Sequence, residues 1–341
     1  MTTFARIAQN MYKMFVIVFI FLLINSSAYS LELERKKICT WDPIGKNGPV
    51  ITFFSDVIPR ALKWGLHLDF IPYLDENQVT VDLDNGICDA GIVTAILSRD
   101  YVTFAGTLDA IGGITSKQKL NKTMAALSSP KAVDLMSSGD YEVVATLPVG
   151  SMFAFVNDRK IKDFDHFRNK KIAVLNGDIQ TKTFAELSGA TPVEATLSNF
   201  SNKFNNGVVD IVIMPALAYN TFELYQGLGE HGGILDLRLF YGMIQAISRK
   251  SEFPDDFGYQ MRKYMVNRIS HINAMIEEAE RTIPLKYWIK TDKQTKDDLD
   301  YFYKDIRLKL KIEKQFHPKA LSLLWKIRCL SSPAREECEK P

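Results

Sequence analysis

A handful of polar and aromatic side chains sit where a chain could hold a molecule. Trp41-Asp42 closes one apolar run and Gly45 opens the turn behind it. Thr94 and Arg99 follow a second run, Asn176 and Asp178 a third, Pro215 and Tyr219 a fourth. An indole can stack on a ring or sugar, a carboxylate can take an amine, and an arginine can grip a carboxylate with two parallel hydrogen bonds. Phe155 and Gln245 fall in two longer β-rich runs and would touch a ligand at a hinge. Each residue also has a plainer reading. Trp41 fits a core, Asp42 a cap on the following turn, Arg99 a helix surface, and Asn176-Gly177 a simple turn.

Bond-breaking chemistry finds little support. The chain has no GxSxG elbow, no P-loop, no GxGxxG after a strand and no HExxH. His67, His166, His231, His271 and His317 show no ligand spacing. The pairs Asp255-Asp256 and Asp297-Asp298 are adjacent residues, which face different ways on a helix and read as solvated surface. No catalytic residue, cofactor or metal is therefore expected, and an enzyme is the least favoured class.

The elements that must position these side chains repeat. From 170 to 219 the pattern runs strand (172–175), helix closed by Gly189, strand (192–195), helix (199–206) ended by Gly207, strand (208–214) stopped by Pro215. Upstream the same order recurs: strand 36–41, helical 50–64 with Pro59 as a kink, strand 66–72, helix 75–85 closed by Gly86, strand 88–93. This order predicts an α/β fold with two parallel-type sheets flanked by helices, each binding at the carboxyl ends of its strands. Runs 141–157, interrupted at Pro148-Val149-Gly150, and 239–248 read as crossover strands between the units. From 257 onward the chain is helical (259–283, 296–311, 317–327), and these amphipathic helices are expected to cover a sheet rather than to bind. The division expected is 31–150 plus 243–341 for one lobe and 151–242 for the other. Two crossovers without a Gly/Ser-rich linker imply hinge motion.

The 341 residues, 46% apolar and 24% charged, suit globular domains. Residues 1–30 read as a secretory leader, with Arg6 and Lys13 before an apolar run at 15–24 and Ala28-Tyr29-Ser30 as cleavage site. An uncleaved anchor is the alternative. Of 42 basic residues, those two lie in the leader, leaving 40 against 40 acidic ones. A neutral mature chain has no attraction for a polyphosphate, which argues against nucleic acid. Export implies an oxidising compartment, so the four cysteines suggest two disulfides. Cys329 and Cys338 are near in sequence. Cys39 and Cys88 each sit at the start of a strand, and adjacent parallel strands would bring them together. A zinc site is disfavoured because no CxxC pair exists.

The 170–219 segment resembles the solute receptors of tripartite ATP-independent periplasmic (TRAP) transporters. The matching pieces are Lys170-Lys171-Ile172-Ala173-Val174, Ser188-Gly189-Ala190-Thr191-Pro192-Val193 and Asn206-Gly207-Val208-Val209-Asp210. A fuller resemblance, to a family of solute-binding proteins some of whose members carry a label linking them to drug efflux, rests on Cys39 to Gly45, Cys88-Asp89-Ala90-Gly91, Phe104 to Gly113 and Pro284 to Trp288. The resemblance implies a two-lobed periplasmic-binding-protein fold (type II-like), a small-molecule ligand, a periplasmic location and an inner-membrane transporter partner. Its alternatives are an accessory protein of an efflux system or an enzyme on the same fold. TRAP receptors clamp a substrate carboxylate with the Arg of a "KIRV" strand, where this chain has Ala173. Either the ligand is not an organic acid or another cation replaces the clamp, for which Arg99 is the candidate.

Overall fold

The structure is a computed structural model that describes residues 33–331, 333 and 336–338; the leader expected at 1–30 lies outside them. Its strands are β1 (Glu34–Trp41), β2 (Leu66–Tyr73), β3 (Ala90–Thr94), β4 (Ser137–Ser138), β5 (Tyr141–Val156), β6 (Lys171–Leu175), β7 (Thr191–Ala195), β8 (Ile211–Pro215), β9 (Gly233–Leu235), β10 (Phe240–Arg249) and β11 (Trp288–Ile289). One hydrogen-bonded path links eight of them, in the order β2-β1-β3-β10-β5-β8-β6-β7. β1 is parallel to β2 and β3, and β6 is parallel to β7 and β8. The same three-strand order therefore occurs twice, as the repeated strand–helix pattern predicts. β3 and β8 are almost wholly buried runs without polar alternation, as strands covered on both faces must be.

The two crossovers carry the join. β10 runs antiparallel to both β3 and β5, and β5 continues antiparallel to β8. The expected interruption at Pro148-Val149-Gly150 is not a break: β5 is continuous over 16 residues. Proline brings no N–H to the ladder, and the register against β10 shifts at Gly242/Met243, opposite that stretch. Gly150 takes φ +116°, a backbone region that side-chain-bearing residues avoid.

Local signals set the helices. Asp75 caps the helix Glu76–Asp84 by accepting from Asn77 N–H, and Asp178 caps Ile179–Ser188 by accepting from Thr181 N–H. Gly189 ends the second in a left-handed turn. The run expected as one helix at 50–64 is two, Pro49–Ser55 and Ile58–Leu62, with Pro59 in the first turn of the second, where its missing N–H costs nothing. The run expected at 259–283 is also two, Phe257–Asn267 and Ile269–Arg281. The helix Lys293–Ile312 touches both halves. Phe302 packs edge-on against Phe184 at 5.4 Å, and Arg307 Nη1 donates to the Ile111 carbonyl at 2.8 Å.

Both expected disulfides form, Cys39–Cys88 and Cys329–Cys338. Cys88 lies two residues before β3 rather than inside it, but parallel β1–β3 pairing still brings the Cα atoms to 5.8 Å. No helix among the described residues is long and apolar enough to cross a membrane.

Candidate functional site

A cavity of about 280 Å³ lies between the halves, where the carboxyl ends of β1, β3, β6 and β8 converge. The first half contributes Trp41, Thr94 and Asp109, with Val50 and Phe53 from the helix Pro49–Ser55. The second contributes Leu175, Asp178, Gln180, Met214, Pro215 and Phe222. Both crossovers form its floor, through Leu147 to Val149 and Met152 on β5 and Phe240, Gly242 and Met243 on β10. Ile272, Met275, Ile276 and Ala279 line it from the helix Ile269–Arg281. That helix was expected only to cover a sheet; its apolar stripe instead forms a wall of the cavity. A surface groove shares Leu217, Thr221, Met275 and Ala279 with the cavity.

Four residues expected to touch a ligand line the cavity: Trp41, Thr94, Asp178 and Pro215. Trp41 is 5% exposed, and its indole Nε1–H is buried with no hydrogen-bond partner. A buried donor left unpaired is costly, so the group is poised to bond something that enters. Thr94 is held by Glu76, whose Oε2 accepts from its backbone N–H at 3.0 Å and its hydroxyl at 2.8 Å. Burial pushes the Glu76 carboxyl up to about 7, with the Thr94 bonds opposing.

The structure does not bring the others there. Asp42 is fully buried and accepts from Ile44, Val50 and Ile51 N–H at 2.8–3.0 Å, so it serves as the cap that its plainer reading foresees. Gly45 takes φ +83° in the turn behind it. Arg99 does not itself line the cavity, and its Nη1 is buried without a hydrogen-bond partner. Arg99 donates twice to the Gly106 carbonyl and once to Asp109 at 3.1 Å, and it stacks on Phe316. Phe155 is completely buried in the second core, with Phe153 and Ile234. Asn176 is exposed beside the cavity. Tyr219 leans on Tyr225 and Tyr287. Gln245 accepts from the Ser98 hydroxyl and donates to the Ala105 carbonyl, fixing β10 to its helical neighbour.

Two polar residues that sequence reasoning left unassigned complete the wall, Asp109 and Gln180. Asp109 is 4% exposed; burial pushes its carboxyl up to about 6, against the pull of Arg99. Burial raises Asp178 as well, against its bonds to Thr181. Gln180 spans the halves: its Oε1 accepts from Ile111 N–H at 2.9 Å and its Nε2 donates to the Asp109 carbonyl at 3.3 Å. The loop holding Asp109 was legible only as part of the Phe104–Gly113 resemblance. Gln180 had a weaker signal, standing two residues after a strand-end cap.

Ala173 is 7% exposed and lies on the same strand face as Leu175, which lines the cavity. A long side chain at this position would be directed along that face toward the ligand space, where the methyl leaves apolar surface. Among the described residues no cluster of three His, Cys, Asp or Glu side chains could hold a metal.

The sequence profile of the family described as "Solute-binding protein AdeT 1/2" matches residues 50–340. The chain is 33% identical over 298 residues to "Probable solute-binding protein AdeT1" of Acinetobacter baumannii, covering 87% of this chain and 98% of the relative. It is 23% identical over 233 residues to AdeT2 of the same organism, covering 68% and 98%. Its fold is similar to the ectoine-binding protein of the TeaABC TRAP transporter of Halomonas elongata, with TM-score 0.72 at 11% identity over 87% of this chain and 98% of that one. It is also similar to TRAP periplasmic solute-binding proteins of Desulfovibrio salexigens with bound orotic acid (TM-score 0.70, 11% identity, 86% and 97% covered) and of Haemophilus influenzae with bound L-gulonate (0.69, 17%, 86% and 99%).

Proposed function

The chain belongs to the AdeT 1/2 family of solute-binding proteins, and from that premise we propose that it is a periplasmic receptor that encloses one small molecule between two hinged lobes. The observation that carries this reading is the cavity walled by both halves and floored by both crossovers. A ligand there touches every part that hinge motion would separate, so binding energy favours the closed form. We assign the lobes as 31–150 plus 243–341 and 151–242, with the helix Lys293–Ile312 bridging them. The closed receptor would then present its solute to a membrane transport subunit of TRAP type or a related kind. No step of this function breaks a covalent bond, and the site serves capture rather than turnover.

The test is X-ray scattering and thermal melting of the purified mature chain against a small-molecule library. The expected result is at least one compound that raises the melting temperature and lowers the radius of gyration. A chain whose dimensions and stability respond to no compound would sink the proposal.

A further inference from the structure

The charges at the cavity wall have one sign. Among the described residues its charged side chains are Asp109 and Asp178, and no lysine, arginine or histidine of those residues lines it. Arg99 is the cation nearest in effect. It gives Asp109 one hydrogen bond and reaches Asp178 only through its field. Two buried carboxylates therefore share one guanidinium, which leaves about one negative charge uncompensated when both are ionised. Both residues are more than nine-tenths buried. Asp178 accepts a local cap bond from Thr181 N–H at 3.0 Å but has no cation of its own.

A second observation is independent of the acids. The Trp41 indole N–H at the same wall has no partner. Apart from Thr94, Gln180 and Thr221 the remaining wall is largely apolar, and it includes the aromatic side chains Phe53, Phe222 and Phe240, a ring type that attracts cations. Met152, Met214, Met243 and Met275 offer pliable surface to a bulky body.

Taking the capture reading above as its basis, we propose that the solute is an apolar organic cation. Its ammonium or amidinium nitrogen lies against Asp178 and Asp109, and an acceptor atom on its body meets the Trp41 indole N–H. An organic anion would add a second unbalanced charge in a site walled mostly by apolar side chains. A monocation brings the site to neutrality. The carboxyls pushed upward by burial are in keeping with a site that lacks its counter-charge.

The experiment is calorimetric titration of the mature protein at pH 7.5 with three probes of one body: 2-(1-naphthyl)ethylamine, 2-(1-naphthyl)ethanol and 1-naphthylacetate. The amine is expected to bind about tenfold tighter than the alcohol, as a charge-assisted hydrogen bond predicts, and the carboxylate weakest. Asp178→Asn keeps a good helix cap and is expected to bring the amine-to-alcohol ratio to within about threefold. Lowering the pH of the wild-type titration from 7.5 to 5 is expected to shrink the same ratio without any substitution. It serves as the second measurement should the variant not fold. Alcohol and amine binding equally, or the carboxylate binding tightest, overturns the charge assignment while leaving capture intact. Binding of none of the three also overturns this inference, whereas the capture reading stands or falls on the library screen described above.

Discussion

Asp42 shows how one side chain can look like a ligand and act as scaffold. It ends β1 beside Trp41, where a binding acid is expected, yet its oxygens accept from three backbone N–H groups. Asp42→Ala leaves those donors buried and unpaired, and is expected to cost about 2–4 kcal/mol of unfolding free energy, measured by denaturant titration. Asp109 and Glu76 behave differently, because burial raises their carboxyls from 3.8 to about 6 and from 4.5 to about 7. Each raised group binds its proton more tightly in the folded than in the unfolded chain. Stability therefore falls as pH climbs through the interval from the unfolded to the folded value, roughly 4 to 7, and then levels. Arg99 and Asp178 face Asp109, and Thr94 and Asp75 face Glu76. The unliganded protein is expected to melt at higher temperature at pH 5 than at pH 7.5. Asp109→Asn should flatten that slope in calorimetric scans.

Elements decide what such residues can reach. The turn from β1 into the helix Pro49–Ser55 closes only because Gly48 has no side chain: a Cβ there would fall 1.5 Å from an Asp42 carboxylate oxygen. Gly48→Ala must displace the buried carboxylate from its donors. Its loss of stability should approach that of Asp42→Ala, and the double variant should fall well short of the sum, read from the same denaturant titrations. The disulfides act on different spans. Cys39–Cys88 ties residues 49 apart and Cys329–Cys338 ties residues 9 apart. On the chain-entropy view, removing the first pair costs about 4 kcal/mol and removing the second about 2.5 kcal/mol. Paired Cys→Ala variants compared by thermal melting test that ranking.

Across the whole molecule, the contact that spans the ligand space is small. Gln180 bridges the halves through Ile111 and Asp109, and a Cβ on Gly177 would stand 3.3 Å from Ile96. Gln180→Ala removes both bridging hydrogen bonds, worth about 1–2 kcal/mol together, and should shift the chain toward an open form. The expected signs are a larger radius of gyration without ligand and weaker ligand binding, while the denaturation midpoint moves little. An unchanged scattering profile would show that other contacts hold the lobes together.

The pattern along the chain determined the architecture. Strands, glycine stops and caps repeat at 36–93 and 170–215, and local propensity is enough to set them. Strand ends also named Trp41, Thr94, Asp178 and Pro215, because in a parallel sheet every carboxyl end faces the same crevice. Only the tertiary structure separated these from Asp42, Arg99, Phe155 and Gln245, which sit at equally suggestive places. Asp42 is taken up by the backbone of its own turn, Arg99 packs on Phe316 and bonds the Gly106 carbonyl, and Gln245 bonds Ser98. Only the fold, too, carried Asp109 and the helix Ile269–Arg281 to the cavity, from about 70 and about 230 residues further along the chain than Trp41. Sequence spacing fixes which way a strand points; which charge ends up balanced beside it depends on long-range packing, and that packing set Asp109 and Asp178 at the cavity wall.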